Sequence, residues 1–178
     1  MTRYAAFFAS INVGGNRLKM AELRKALERE DFAEVETVVA SGNVLFSHEE
    51  RPSEGLAEKL AYVVRERFGI DSFAAVRDAG QVRAAIEDNP FLGVGEDRFV
   101  HTHFLERQPE PGRFEDMVAA FAGRGPEKLA LGDRALFVDY VEGAGSSRLS
   151  GAFIERRLGC RHTARNVRSL QRILEKME

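Results

Sequence analysis

The sequence predicts an α+β protein in which two β-α-β-β-α-β units, each with an antiparallel sheet, follow one another and a C-terminal helix closes the chain. Apolar runs of strand length alternate with segments whose apolar residues recur at helical spacing. Gly42 and Gly132 stand 90 residues apart, and so do Gly69 and Gly159, which indicates an internal duplication. The order of elements in each half is that of the ferredoxin-like fold.

The first half opens with a buried strand at residues 4–11, YAAFFASI. A helix follows, and its apolar stripe consists of Met20, Leu23 and Leu27. Two strands come next, joined by a tight turn at residues 41–43, where Gly42 supplies a backbone angle that suits glycine. A second helix begins at its N-cap Ser53 and stops at Gly69. The strand IDSFAAV completes the unit.

A short helix and a linker separate the two halves. Asp78 and Gln81 form the start of a capping pattern for this helix. The stretch DNPFLGVGED, at residues 88–97, contains one proline and two glycines that interrupt any regular element. We therefore predict domains at residues 1–90 and 97–178.

The second half repeats the order of the first. A strand is predicted at FVHTHFLE, and a helix is predicted after Pro111. A hairpin is predicted at KLALGDRALFVDYV, with its turn at residues 132–133. Ser146 or Ser147 is predicted to cap the next helix, which Gly159 stops. A last amphipathic helix then closes the chain.

Charge is distributed unevenly, although the formal net charge is only −2. Residues 146–178 carry eight Lys or Arg against three Glu, a balance of +5 that leaves −7 for the rest. These arginines either form an electropositive face that attracts anions or pair with acidic residues of the other half, and the composition leaves both alternatives open.

Composition also bears on the cellular compartment. No apolar run approaches the roughly 20 residues that cross a bilayer, and the N-terminal run is too short for a secretory signal. The single cysteine, Cys160, fits a reducing compartment and excludes an internal disulfide. We expect a cytoplasmic protein with no membrane contact.

A candidate site lies where the first and second strands end. The helix between them makes these strands run parallel, so their C-terminal ends share one edge of the sheet. The residues there are Asn12, Gly14, Gly15, Asn16, Arg17, Ser41, Gly42 and Asn43. Glycines beside a helix start favour phosphate binding by backbone N–H groups, but the spacing matches neither glycine-rich nucleotide motif. An anion site and a structural turn therefore both remain open.

The C-terminal part supplies a second group of candidates. SSRLS contributes Ser147 and Arg148, and hydroxyls beside a guanidinium are typical of an anion site, although helix capping also explains the serines. TARN is predicted to begin the final helix, with Thr163 or Asn166 as its cap.

A basic stripe is predicted on that final helix. Arg165, Arg168 and Arg172 share one face, which is either solvated and salt-bridged or a nucleic-acid contact. Nucleic acid is weakly supported, because no aromatic residues that stack on bases interleave with these arginines.

Metal, cofactor and nucleophile signals are weak. His101 and His103 lie on one face of a strand and would supply two metal ligands, but no third is visible at suitable spacing, and His48 and His162 are expected to be remote from them. Cys160 has no neighbouring base and reads as a buried structural thiol. We expect no metal and no cofactor.

Several motifs together resemble one bacterial family. They are INVGGNRLKMAELR, SGNVLF, NPF, SSRLS, ERRLG and TARN. The order of these motifs is similar to that of the family known as domain of unknown function 1697. The resemblance implies two ferredoxin-like repeats and no activity. The chain departs from the family pattern at Ala9-Ser10, where Arg-Gly is common, and at Val167, where Trp is common.

The leading hypothesis is a protein that binds a small anionic ligand or a nucleic-acid end without catalysis. Its site would join the first-half loop edge to Arg148 and Arg165. An enzyme acting on a phosphorylated or carboxylated metabolite, with Ser41 or Ser147 as participants, is a second hypothesis. A protein–protein interaction module is a third, and the sequence does not fix the oligomeric state.

Overall fold

The computed structural model describes residues 1–9, 18–39 and 42–178. These residues form two compact units. The first unit contains Met1–Arg83 and Arg172–Glu178, and the second contains Ala84–Gln171. These limits differ from the predicted domains at 1–90 and 97–178, which stay a prediction.

The first unit is built on a four-stranded antiparallel sheet. Its elements are β1 (Thr2–Ala9), α1 (Met20–Glu28), β2 (Ala33–Thr37), β3 (Asn43–His48), α2 (Ser53–Phe68) and β4 (Phe73–Asp78). The strand order is β2-β3-β1-β4. Because β1 and β2 are both antiparallel to β3, they run in the same direction, as the sequence predicts.

Strand β1 is buried on both of its faces. Tyr4, Ala6 and Phe8 belong to the apolar core that the helices cover, and the intervening Ala5 and Phe7 are also buried. The helices contribute Leu23, Leu27, Leu56, Leu60, Val63 and Val64 to this core. Burial on both faces explains why β1 is a continuous apolar run rather than an alternating one.

The second unit has the same plan. Its elements are β5 (Val100–Leu105), α4 (Arg113–Phe121), β6 (Lys128–Gly132), β7 (Ala135–Asp139), α5 (Gly151–Leu158) and β8 (His162–Asn166). The strand order is β6-β7-β5-β8, again antiparallel throughout. Met117 and Phe121 of α4 and Ile154 and Leu158 of α5 share a core with Leu136 and other residues of the sheet.

Two further helices have residues in both units. They are α3 (Ala79–Glu87) and α6 (Val167–Met177). The described residues thus form an α+β structure of two similar halves, with two four-stranded antiparallel sheets and six α-helices. None of the helices in residues 1–9, 18–39 and 42–178 is both long and apolar enough to cross a bilayer.

Several predicted helix ends are confirmed. Gly69 and Gly159 terminate α2 and α5 in the left-handed conformation, with φ of 65° and 77°. Asp78 and Gln81 form a reciprocal capping box: Asp78 N–H donates to Gln81 Oε1 at 2.9 Å, and Gln81 N–H donates to Asp78 Oδ1 at 2.8 Å.

Other predicted caps are wrong. Ser53 is the first residue of α2 and donates its hydroxyl hydrogen to Gln81 Oε1 at 2.9 Å. The N-cap of α5 is Ser150, whose Oγ accepts from Phe153 N–H, so neither Ser146 nor Ser147 caps this helix. The 3₁₀ turn at Ala144–Ser146 delays the start of the helix.

Of the prediction for TARN, Asn166 as the cap of the final helix is confirmed, and the assignment of Thr163 to Arg165 to the start of that helix is wrong. Thr163 to Asn166 belong to strand β8, which pairs with β5. Arg165 therefore lies on a strand, and the predicted stripe of Arg165, Arg168 and Arg172 does not form on one helix.

The glycines at 42 and 132 differ in their roles. Gly42 has a φ of 91°, whereas Gly132 ends strand β6 and is not among the described glycines with positive φ. A Cβ atom at Gly132 would lie 2.5 Å from Cε2 and 2.8 Å from Cζ of Phe137, a ring that is buried. Close approach of the ring, rather than backbone angle, therefore requires glycine at 132.

Replacing Gly132 by alanine is expected to lower the free energy of unfolding by about 1 kcal/mol, because the buried ring of Phe137 must shift. Urea unfolding followed by circular dichroism measures the change. Gly55→Ala is the matched control, because a Cβ atom there meets nothing within 4 Å and alanine favours the helix. Equal losses in the two variants would contradict the role of the ring.

Candidate functional site

The first-half candidates lie mostly outside the described residues. Asn12, Gly14, Gly15, Asn16, Arg17 and Ser41 all do, which leaves Gly42 and Asn43. The Gly42 carbonyl accepts from Phe8 N–H at 2.8 Å, and Asn43 pairs with Phe7 and is 2% exposed. The end of β1 therefore lies beside the start of β3, and the buried Asn43 belongs to the sheet.

The TARN residues serve local structure. The Asn166 Oδ1 atom accepts from Ser169 N–H at 2.9 Å, which caps α6 as predicted for this residue. Arg165 donates to Thr163 Oγ1 at 2.7 Å and to the Ala164 carbonyl at 2.8 Å. Burial lowers the pKa of Arg165 to about 10. Arg165 is thus a largely buried guanidinium bonded within its own strand.

The SSRLS residues lie at one end of the second sheet. Ser147 donates its hydroxyl hydrogen to Glu127 Oε1 at 2.7 Å, and its Oγ accepts from Leu149 N–H at 3.0 Å. The bond to Glu127 holds the loop after β7 against the loop before β6, and the bond from Leu149 lies within the loop after β7. Arg148 is the next residue, and it is exposed.

A cavity of about 370 Å³ opens between these two loops, and we call it the second-unit cleft. Its lining includes Arg124, Gly125, Glu127, Glu142, Ser146 and Arg148. The loops meet because the open end of the β6–β7 hairpin pairs Lys128 with Asp139. The residues that precede β6 and those that follow β7 are therefore brought together by the sheet itself.

Several charged groups of this cleft lack protein partners. Within residues 1–9, 18–39 and 42–178, neither Arg148 nor Glu142 makes an ion pair or a side-chain hydrogen bond. Glu127 Oε2 is buried and has no hydrogen-bond partner in the same residues. It lies against the position that a Cβ atom would take at Gly125, so a larger residue there would displace the Glu127 carboxylate. The cleft thus offers one cation and two carboxylate groups to a ligand.

The first unit has a cavity at the equivalent place. In each unit the cavity lies between the loop before the second strand in chain order, β2 or β6, and the loop after the third strand, β3 or β7. The cavity of the first unit measures about 700 Å³. Its charged lining is predominantly acidic: Glu28, Asp31, Glu34 and Glu49, with His48 and Arg51. The two halves therefore share a cleft position but differ in its charge.

A chain of hydrogen bonds crosses the second sheet, buried at its Tyr140 end and exposed at its Gly151 end. The Nδ1 atoms of His103 and His162 are 3.0 Å apart, and His103 Nε2 lies 2.9 Å from Tyr140 Oη. His162 Nε2 lies 2.9 Å from the Gly151 carbonyl at the start of α5. The expectation that His162 is remote from His103 is therefore wrong, because the β5–β8 pairing brings them together.

The Gly151 carbonyl at the end of this chain determines which nitrogen atom of each neutral imidazole carries the hydrogen. The Gly151 carbonyl only accepts, so His162 carries its hydrogen on Nε2 and accepts at Nδ1. His103 then donates from Nδ1 to His162, and its Nε2 accepts from the Tyr140 hydroxyl. Every donor and acceptor is used once, so the neutral chain is complete.

The environment of this chain favours neutral side chains. Burial, followed by the neighbouring His162 and His101, holds the pKa of His103 well below its usual value. Burial, with a contribution from Glu127, raises the pKa of Tyr140 to about 12. No group of three His, Cys, Asp or Glu that could hold a metal ion occurs in the part of the chain that the structure describes.

The remaining candidate nucleophile is protected. Cys160 is 4% exposed, and its thiol donates to the Arg107 carbonyl at 3.5 Å. Burial raises the pKa of this thiol, which disfavours the reactive thiolate. The arrangement agrees with a structural cysteine.

The predicted joint site spans residues of both units, and it stays a prediction. Of its members, the described structure places Ser147 and Arg148 at the second-unit cleft. Arg124, Glu127 and Glu142 are cleft residues that the sequence reading missed. The predicted hairpin could have indicated these residues, because its open end brings together the two glycine-containing loops in which they lie.

Comparisons with known proteins give a family and a fold. One solved structure, that of the conserved bacterial protein SP0830 from Streptococcus pneumoniae, is similar over 99% of both chains, with 22% identity and a TM-score of 0.70. No curated protein matches the chain significantly. The profile of the family described as protein of unknown function DUF1697 matches residues 1–137. The chain belongs to this family of unknown function, as its motifs suggested.

Proposed function

We propose that the protein binds a small anionic ligand in the second-unit cleft, without catalysing a reaction. The single observation that carries this proposal is Arg148, whose exposed guanidinium lines the cleft and has no protein partner among the described residues. A guanidinium offers a planar set of donors that matches a carboxylate or phosphate.

Two further features support an anion beside Arg148. The Arg124 guanidinium lines the same cleft, and among the described residues its only partner is the Phe153 ring, whose centroid is 5.9 Å away. The Ser147–Glu127 hydrogen bond fixes the loop that carries Arg148, so the cation is presented from a restrained backbone. Neither feature supplies a general base or an accessible nucleophile.

Titration calorimetry with inorganic phosphate and ethyl phosphate tests the proposal. Arg148→Ala is expected to weaken binding of both by about tenfold or more, because one charge-assisted contact is lost. Arg156→Ala is the matched control, since Arg156 is an exposed residue of α5 that has no partner in the described chain. Equal affinities in the two variants, or no binding to the unmodified protein, would overturn the proposal.

The first-half candidates form a separate proposal for the same ligand class. Asn12, Gly14, Gly15, Asn16, Arg17 and Ser41 follow the two strands that end at one edge of the first sheet. Arg17→Ala tests it in the same titration. Loss of phosphate binding in this variant, with Arg148→Ala unaffected, would move the site to the first unit.

The two halves also invite a proposal about their origin. The identical strand orders and the left-handed glycines that end α2 and α5, 90 residues apart, support a tandem duplication of a ferredoxin-like unit.

An enzyme using Ser41 or Ser147 and a protein–protein interaction module are the alternatives to ligand binding, and no observation favours either one.

A further inference from the structure

We propose that the ligand of the second-unit cleft is a small zwitterion, which carries an ammonium group as well as a phosphate or carboxylate. This inference rests on the proposed function, because it assigns the ligand class of the same site. Arg148 would bind the anionic group, and Glu142 with Glu127 would bind the ammonium group.

The charge balance of the cleft is the first argument. Two arginines and two glutamates line it, so its formal charge is zero. A site for a plain anion has cations without carboxylates, because a carboxylate a few ångströms from a bound anion repels it. A ligand with one charge of each sign is attracted by both groups.

The state of the two carboxylates is the second argument. Glu142 is exposed and makes no ion pair with either arginine of the cleft, although all line one cavity. Glu127 has one oxygen bonded to Ser147 and a second, buried oxygen with no donor within the described chain. A buried acceptor without a donor is destabilising, and an N–H group of a ligand relieves it.

The backbone that carries Glu142 is held in place. Asp139 Oδ1 accepts from Val141 N–H at 2.9 Å, and Val141 adopts a φ of 59° that is unusual for a branched residue. This turn directs the chain from the end of β7 to Glu142 and Gly143 at the rim of the cleft. A carboxylate and a guanidinium that are both carried on restrained backbone favour a ligand whose two charges match their separation.

The size of the cavity is the third argument. A volume of about 370 Å³ is near the lower limit of small-molecule sites, which run from about 300 to about 1,000 Å³. It accepts a compact metabolite with two charged ends. It is too small for a folded partner or a nucleic-acid strand to enter.

The test compares O-phosphoethanolamine with ethyl phosphate by titration calorimetry. The two molecules share the phosphate group and the two-carbon chain, and the first carries an ammonium group at the end of that chain. We expect O-phosphoethanolamine to bind about twofold to fivefold more tightly, the range of a single exposed charge pair. Glu142→Gln should reduce this preference while leaving the affinity for ethyl phosphate within about twofold.

A matched control variant completes the experiment, and its possible outcomes separate the zwitterion inference from the proposed function. Glu155→Gln neutralises an exposed glutamate on α5 and should keep the full preference. Equal affinities for the two molecules in the unmodified protein would overturn the zwitterion inference and leave anion binding intact. Absence of binding to both would overturn the proposed function as well, and a preference that survives Glu142→Gln would overturn the role of Glu142.

Discussion

Acidification below pH 6.5 is expected to destabilise the protein by about 1.4 kcal/mol for each pH unit through His103 alone. The cause is the burial of His103, which lies between His162 and Tyr140 in a chain of hydrogen bonds, because burial disfavours a charged imidazole. His101, whose ring lies 4.8 Å from that of Tyr140, also has a lowered pKa because of burial and adds to the effect.

The sign follows from proton linkage. The folded state holds the pKa of His103 well below 6.5, whereas the unfolded chain has the ordinary value of 6.5. The unfolded state therefore binds the proton first as the pH falls, and stability decreases with it. The contribution is fully present above pH 6.5 and is lost progressively as the pH falls from 6.5 towards the folded-state pKa.

Urea unfolding at several pH values from about 7 to about 5 measures the slope, in a range where carboxylates stay ionised. His103→Gln should flatten the slope by about 1.4 kcal/mol for each pH unit, because glutamine does not titrate. Proton NMR gives a second readout, in which the His103 ring should titrate well below the ordinary pH range of an imidazole. A normal titration near pH 6.5 would contradict the buried neutral chain.

Replacing Gly95 by alanine is expected to lower the free energy of unfolding by about 2–3 kcal/mol. A Cβ atom there would lie 2.7 Å from Cγ and 2.9 Å from Oδ1 of Asp139, whose side chain is 4% exposed. A shift of this buried carboxylate away from the added methyl group would disturb its hydrogen bond from Val141 N–H. The substitution therefore combines a steric overlap with loss of the bond that holds the turn.

Gly145→Ala is the matched control for Gly95→Ala, because a Cβ atom at Gly145 meets nothing within 4 Å. We expect the control to change stability by no more than about 0.5 kcal/mol. The same turn positions Glu142, so Gly95→Ala should also weaken ligand binding under conditions where it stays folded. Unchanged stability in Gly95→Ala would contradict the tight contact with Asp139.

The sequence predicts most elements of this fold because their signals are local. Leu23 and Leu27 define the buried face of α1, and Gly69 ends α2, without reference to the rest of the chain. Strand β8 is not predicted in this way, because only Thr163 among its residues is buried and the strand shows no alternation of apolar residues. Its conformation depends on pairing with β5, about 60 residues earlier, which no local propensity encodes.

The candidate site is predictable to a smaller extent. Arg148 stands in a motif of serines and arginine that indicates an anion site. Glu127 and Glu142 join it only through the register of the β6–β7 hairpin. Their unpartnered atoms depend on side-chain geometry, for which composition offers no signal. The link between His103 and His162 likewise depends on strand register.

The assignment of Arg172–Glu178 to the first unit has a consequence for synthesis. Glu178 forms an ion pair with Arg83, and both belong to this unit. A nascent chain that has just produced β4 still lacks these residues, and the ribosome must translate the whole of Ala84–Gln171 before it can supply them. The N-terminal half therefore reaches its final state late, after the half that follows it has emerged from the exit tunnel.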